Sequence, residues 1–160
     1  MSKLGRNWLV GAALLSAVAC FIHIATIFGG GDWYRFFGAG EEMAKLDEAG
    51  SWHPAIVTMF ISAVLAGWVG YALSGAGVIL RLPLLRTALV AISLVLLMRA
   101  SLYFSPQFWL PEHSPAFILW SSLAVLVLGL AFAIGTALSW KRLSSASVHQ
   151  PIQERQIEAS

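Results

Sequence analysis

Long apolar runs separated by short polar segments dominate the pattern of this chain. Four runs have about the 20 residues that a helix needs to cross a bilayer, at approximately 8–28, 55–77, 85–104 and 116–138. Each is followed by a glycine or proline break or by a basic pair, which are common ends of helices and spans. The pattern therefore predicts an all-α membrane protein, a bundle of four transmembrane helices in residues 1–142.

The segment between the first two spans has a different pattern. Over residues 33–49, aromatic and small residues fall near one helical face and charged residues fall largely elsewhere. This spacing is typical of a short amphipathic helix lying in the membrane interface. Asp32 follows three glycines and is expected to cap it. Residues 143–160 are polar with no apolar period, so we expect a disordered cytoplasmic tail.

Charge gives the predicted orientation. One side of the predicted topology carries six basic residues, namely Lys3, Arg6, Arg81, Arg86, Lys141 and Arg142. The opposite side collects most of the acidic residues, namely Asp32, Glu41, Glu42, Asp47, Glu48 and Glu112. By the positive-inside rule both termini are cytoplasmic, and the protein is predicted to be a multi-pass protein of the bacterial inner membrane.

Composition agrees with a membrane protein. The chain is 58% hydrophobic and only 11% charged, with a mean hydropathy of +0.76, far from a soluble average. The net charge of +2 is not concentrated in an aromatic-rich basic patch, which argues against a nucleic-acid partner. The single cysteine, Cys20, excludes an intramolecular disulfide and a multi-thiolate metal site. Residues 17–20 resemble a lipoprotein cleavage site, but the apolar run continues to Phe28, which favours an uncleaved span.

Two polar residues interrupt the spans at one depth. His23 lies five positions before Phe28 and Arg99 lies five before Phe104, which places each roughly 7–8 Å below the outer surface. Intramembrane charge is costly and often functional. The sequence therefore indicates an outer-leaflet pocket built on His23 and Arg99. Five loop residues are predicted at its rim, namely Glu41, Glu42, His53, Glu112 and His113.

Each of these residues also has a structural interpretation. Arg99 can extend its guanidinium to headgroup phosphates or pair with Glu41 or Glu42, and His23 can be a hydrogen-bonded packing residue. The acidic run over 41–48 is typical of a solvated helix face. No metal site is predicted, because His23, His53 and His113 lack a known zinc-binding spacing. No catalytic motif is present, so we assign no catalytic residue and no cofactor.

Four segments carry a resemblance to a known group. They are residues 32–41 (DWYRFFGAGE), 71–77 (YALSGAG), 81–86 (RLPLLR) and 119–122 (LWSS). The sequence resembles small proteobacterial four-helix membrane proteins to which no activity is assigned. The resemblance covers nearly the whole chain up to Leu138. It implies topology and location only, and it transfers no functional residue.

Two functions of different classes follow from these patterns. The first is a non-enzymatic accessory bundle that binds a membrane-protein partner or a second copy through small-residue helix faces. The second is an outer-leaflet site, binding or enzymatic, for a lipid, quinone or other amphiphile, in which Arg99 holds an anionic group and His23 transfers a proton. Solute transport is less favoured, because one chain has few polar intramembrane residues to line a path.

Overall fold

The computed structural model describes residues 3–101 and 115–145, and every regular element in them is a helix. The six helices are α1 (Lys3–Gly29), α2 (Gly31–Phe36), α3 (Glu41–Glu48), α4 (His53–Ala76), α5 (Leu85–Ser101) and α6 (Pro115–Ser145). The predicted all-α class is thereby confirmed.

Three helices are long and apolar enough to cross a membrane, at Lys3–Gly29, His53–Ala76 and Phe117–Ser144. They correspond to the first, second and fourth predicted spans. Helix α5 has 17 residues, and the predicted third span, 85–104, continues into residues outside the described part of the chain. The fourth membrane crossing therefore stays a prediction.

The four long helices form a ring. Helix α1 packs against α4 and α6, and α5 packs against α6 and more lightly against α4. No Cα atom of α1 lies within 8 Å of a Cα atom of α5. The two helices therefore occupy diagonal positions, as do α4 and α6, which touch only slightly.

Small residues let the helices approach closely near one end of the ring. Leu9 of α1 is completely buried. A Cβ atom built on Gly135 of α6 would lie 2.8 Å from the Leu9 side chain, and one built on Gly75 of α4 would lie 3.1 Å from it. Leu9 thus occupies the space that two glycines leave open, which is the kind of packing that holds helices together in lipid.

The predicted single helix over 33–49 is two helices, α2 and α3. Gly38 and Gly40 separate them, with φ of 74° and 95°, a backbone region that residues with a Cβ rarely adopt. Asp32 lies in the first turn of α2 and does not cap it, because Gly30 occupies the N-cap. The expected single interfacial helix is corrected accordingly.

Helix α6 continues to Ser145, past the expected start of the tail at Leu143. Leu143 is buried, and its carbonyl oxygen accepts a hydrogen bond from the Arg81 guanidinium. This apolar contact and hydrogen bond extend the helix into the segment that the polar composition assigned to the tail. Residues 146–160, the rest of the predicted tail, lie outside the described residues.

Candidate functional site

Arg35 of α2 is the centre of a charged cluster that joins α2 to α3. Its Nε donates to Glu41 Oε2 at 2.7 Å, and its terminal nitrogens reach Glu41 Oε1 at 3.1 Å and Glu48 Oε1 at 2.5 Å. A weaker contact of 3.4 Å reaches Asp32. The planar guanidinium suits such forked pairing with carboxylates. The cluster fixes the relative position of the two short helices.

The glycine break makes this cluster possible. After Phe37, the positive φ at Gly38 and Gly40 turns the chain, so that the start of α3 comes back beside α2. Tyr34 of α2 and Ala44 of α3 are almost completely buried, at 1% and 0% exposure. The α2–α3 unit therefore combines buried residues from both helices with one shared guanidinium.

Electrostatics in the cluster favour the charged forms. The hydrogen bonds from Arg35 hold the pKa of the Glu41 and Glu48 carboxyl groups below their ordinary value of 4.5. In return, hydrogen bonds from Glu41 and Glu48 raise the pKa of Arg35. The stability that the ion pairs contribute is complete above pH 4.5 and is lost as the pH falls through the lowered pKa values of the two carboxyls.

We expect acid to loosen the α2–α3 unit and leave the long helices in place. Amide hydrogen exchange of residues 41–48, corrected for its intrinsic pH dependence, should accelerate below pH 4.5 relative to residues 53–76. Arg35→Gln should show the fast exchange already at neutral pH. Lys45→Gln is the matched control. Lys45 is mostly exposed, and its ion pair with Glu41 is long, at 3.8 Å, so its loss should change little. Equal exchange in the wild type and Arg35→Gln at neutral pH would contradict this prediction.

The two intramembrane residues of the predicted pocket lie on diagonal helices. His23 of α1 is half-buried, and its Nδ1 donates to the carbonyl oxygen of Ala19 at 2.8 Å. Arg99 of α5 is exposed on the outside of the ring, and no hydrogen bond or ion pair links it to another described residue. No Cα atom of α1 lies within 8 Å of one of α5, and the described residues show no hydrogen bond between His23 and Arg99.

The rim residues are likewise dispersed. Glu41 belongs to the Arg35 cluster, so the expected pairing of Arg99 with Glu41 is not what the described residues show. Glu42 and His53 are exposed. Glu112 and His113 lie outside the described residues. A ligand-binding role for this set stays a prediction. Within residues 3–101 and 115–145, no three His, Cys, Asp or Glu side chains are grouped closely enough to hold a metal ion.

The opposite end of the ring gathers basic residues. The Arg86 guanidinium stacks on the Trp140 ring, 4.1 Å from its centroid. Arg142 lies against Gly77, and Arg81 is tied to the end of α6. The chain therefore separates its charges, with a basic end at α6 and an acidic α2–α3 unit at the other end.

One face of α4 has no close neighbour among residues 3–101 and 115–145. Ala63 and Gly67 are exposed, and a Cβ atom built on Gly67 would meet nothing within 4 Å. In the adjoining row of small residues, Ser62 and Ser74 are buried inside the ring, whereas Ala66 between them is exposed. The outward surface of α4 thus includes Ala63, Ala66 and Gly67.

Sequence reasoning missed the role of Arg35, whose guanidinium binds both Glu41 and Glu48. The signal was the single arginine placed among five acidic residues in 32–48. No family model, curated protein or solved structure matches this chain. The class of the protein therefore follows from its own residues, as a helical protein with three helices able to span a membrane.

Proposed function

We propose that the chain is a four-span protein of the bacterial inner membrane with both termini in the cytoplasm, in which α5 is the fourth span. A 17-residue helix is about 26 Å long, and three further residues would bring it to the roughly 30 Å of the hydrocarbon core. The six basic residues at one end of the ring, described above, favour that end as the cytoplasmic one.

Its function in this proposal is that of a non-enzymatic accessory protein that binds a helix of another membrane protein. The observation that carries it is the outward row of Ala63 and Gly67 on α4. In lipid, small residues four positions apart allow two backbones to approach closely, which favours helix association. Small side chains make fewer contacts with lipid than large ones do. A partner helix that packs against Ala63 and Gly67 would replace those lost contacts.

A chemical role has less support among the described residues. The Arg35 guanidinium is engaged by carboxylates of its own chain. His23 donates to the backbone of its own helix. Neither arrangement leaves a paired acid and base facing a common space, which general acid–base chemistry would require.

The test is complex formation in native lipid particles. We expect the wild-type chain to migrate with a second protein in fixed ratio. Gly67→Leu and Ala63→Leu should each lower the association constant of the complex about fivefold, equivalent to about 1 kcal/mol, because a leucine holds the partner backbone away. The matched control is Ala124→Leu, at an exposed position of α6.

Three results would overturn the proposal. A wild-type chain that is reproducibly alone in native lipid has no partner. An equal loss in Ala124→Leu would mean that any added bulk weakens the complex. A complex made only of copies of this chain would assign the α4 face to self-association.

A further inference from the structure

We propose that the groove between α5 and α6 at the basic end of the ring holds an anionic phospholipid, with an acyl chain in the groove and the phosphate beside Arg86 and Lys141. This inference uses the proposed membrane placement and is independent of a protein partner. It concerns a different face of the ring from the row of Ala63 and Gly67.

The groove has the shape and lining that an acyl chain requires. It is an open groove with a volume of about 590 Å³. Its walls are mostly apolar, with Val90, Leu94 and Leu97 on α5 and Ala133 and Ala137 on α6. From residue 133 to residue 141, α6 rises about 12 Å, so the groove runs along the helices in the direction of a lipid tail.

The hydroxyl groups in the walls of the groove are compatible with an acyl chain. The Ser93 hydroxyl donates to the carbonyl oxygen of Leu89 at 2.7 Å and is therefore satisfied within its own helix. Thr136 is 4% exposed, and its hydroxyl is enclosed in the protein. The surface that the groove offers is thus a hydrocarbon surface.

Positive charge is concentrated at the end of the groove near Trp140 and Lys141, which the proposed topology places at the cytoplasmic side. Lys141 lines the groove there, beside Trp140, whose ring carries the Arg86 guanidinium. Aromatic and basic residues at this depth match the headgroup region of a bilayer. The described residues around the mouth in the 81–90 and 133–145 segments include no Asp or Glu. A phosphate with a net negative charge is therefore attracted there, whereas a zwitterionic headgroup gains less.

The experiment is native mass spectrometry of the purified full chain in mild detergent, titrated with phosphatidylglycerol or with phosphatidylcholine of the same acyl chains. We expect a discrete phosphatidylglycerol adduct at concentrations where phosphatidylcholine gives none. Arg86→Gln/Lys141→Gln should weaken the adduct roughly tenfold. The matched control, Lys3→Gln/Arg6→Gln, removes the same charge from exposed positions on α1 and should leave it unchanged.

A second pair of variants tests the groove itself. Ala137→Phe fills the groove from an exposed position and should also remove the adduct, whereas Ala124→Phe, at another exposed position of α6, should not. Equal weakening in both charge variants would mean a diffuse surface potential without a site. Retention of the adduct in Ala137→Phe, or equal binding of the two lipids, would overturn the proposal. Loss of a protein partner in Gly67→Leu with the lipid adduct intact separates this site from the accessory function.

Discussion

Valine in place of Gly135 is expected to destabilise the bundle strongly. The added Cβ would lie 2.8 Å from Leu9 Cγ and 3.1 Å from the backbone nitrogen of Leu9. A side chain can change rotamer, but a backbone atom moves only with its helix, so α1 and α6 must separate. Overpacking of this kind costs about 1–3 kcal/mol and more where the backbone is involved. Thermal unfolding in detergent, followed by circular dichroism, measures the loss.

The chain offers matched controls for this substitution. Gly11 and Gly67 are also inside long helices, and a Cβ atom on either would meet nothing within 4 Å. Gly11→Val and Gly67→Val should therefore unfold at nearly the wild-type temperature. An equal loss in all three variants would attribute the effect to helix propensity and would contradict close packing at Gly135.

Leu9→Ala is expected to have the second-largest effect. Leu9 is completely buried and lies between Gly75 of α4 and Gly135 of α6. In a water-soluble core such a truncation costs about 2–5 kcal/mol. Within lipid, the transfer part of this cost is small because the surroundings are apolar in both states. The cavity part remains, and we expect about 1–3 kcal/mol.

A double-mutant cycle tests whether Leu9 and Gly135 form one contact. Gly135→Ala alone should destabilise, because its Cβ meets Leu9. In the Leu9→Ala background the contacts with Leu9 Cγ and Cδ2 are gone and the 3.1 Å contact with the Leu9 backbone nitrogen remains, so the two losses should add only in part. Unfolding in a mixed-micelle denaturant series gives the four free energies. Additive losses would show that the two residues act separately.

The sequence allows prediction of the apolar helices, because an apolar run of spanning length has few other structures open to it. The predicted first span, 8–28, and second span, 55–77, lie within or close to α1 and α4. Their ends were less predictable. Helix α6 extends past Arg142 because Leu143 is buried and bonded to Arg81, and a contact across 62 positions leaves no local signal.

The contacts of the charged residues could not be predicted from the sequence. Periodicity placed Arg35 and the acidic residues on the outer face of one helix, but the positive φ of Gly38 and Gly40 folds that segment on itself. Glu48 then meets Arg35 from 13 positions away. Likewise, equal depth for His23 and Arg99 could be estimated from helical rise, whereas the diagonal positions of α1 and α5 depend on packing among all four long helices.

The position of α1 between α4 and α6 has a consequence for biosynthesis. A chain emerging from the ribosome can pair α1 with α4 before α5 and α6 are made, since α1 and α4 precede them in the sequence. The other flank of α1 contacts α6, the last of the described helices in chain order. Until α6 has been made, Leu9 therefore lacks its contact with Gly135, and the side of α1 that faces α6 in the folded protein stays exposed.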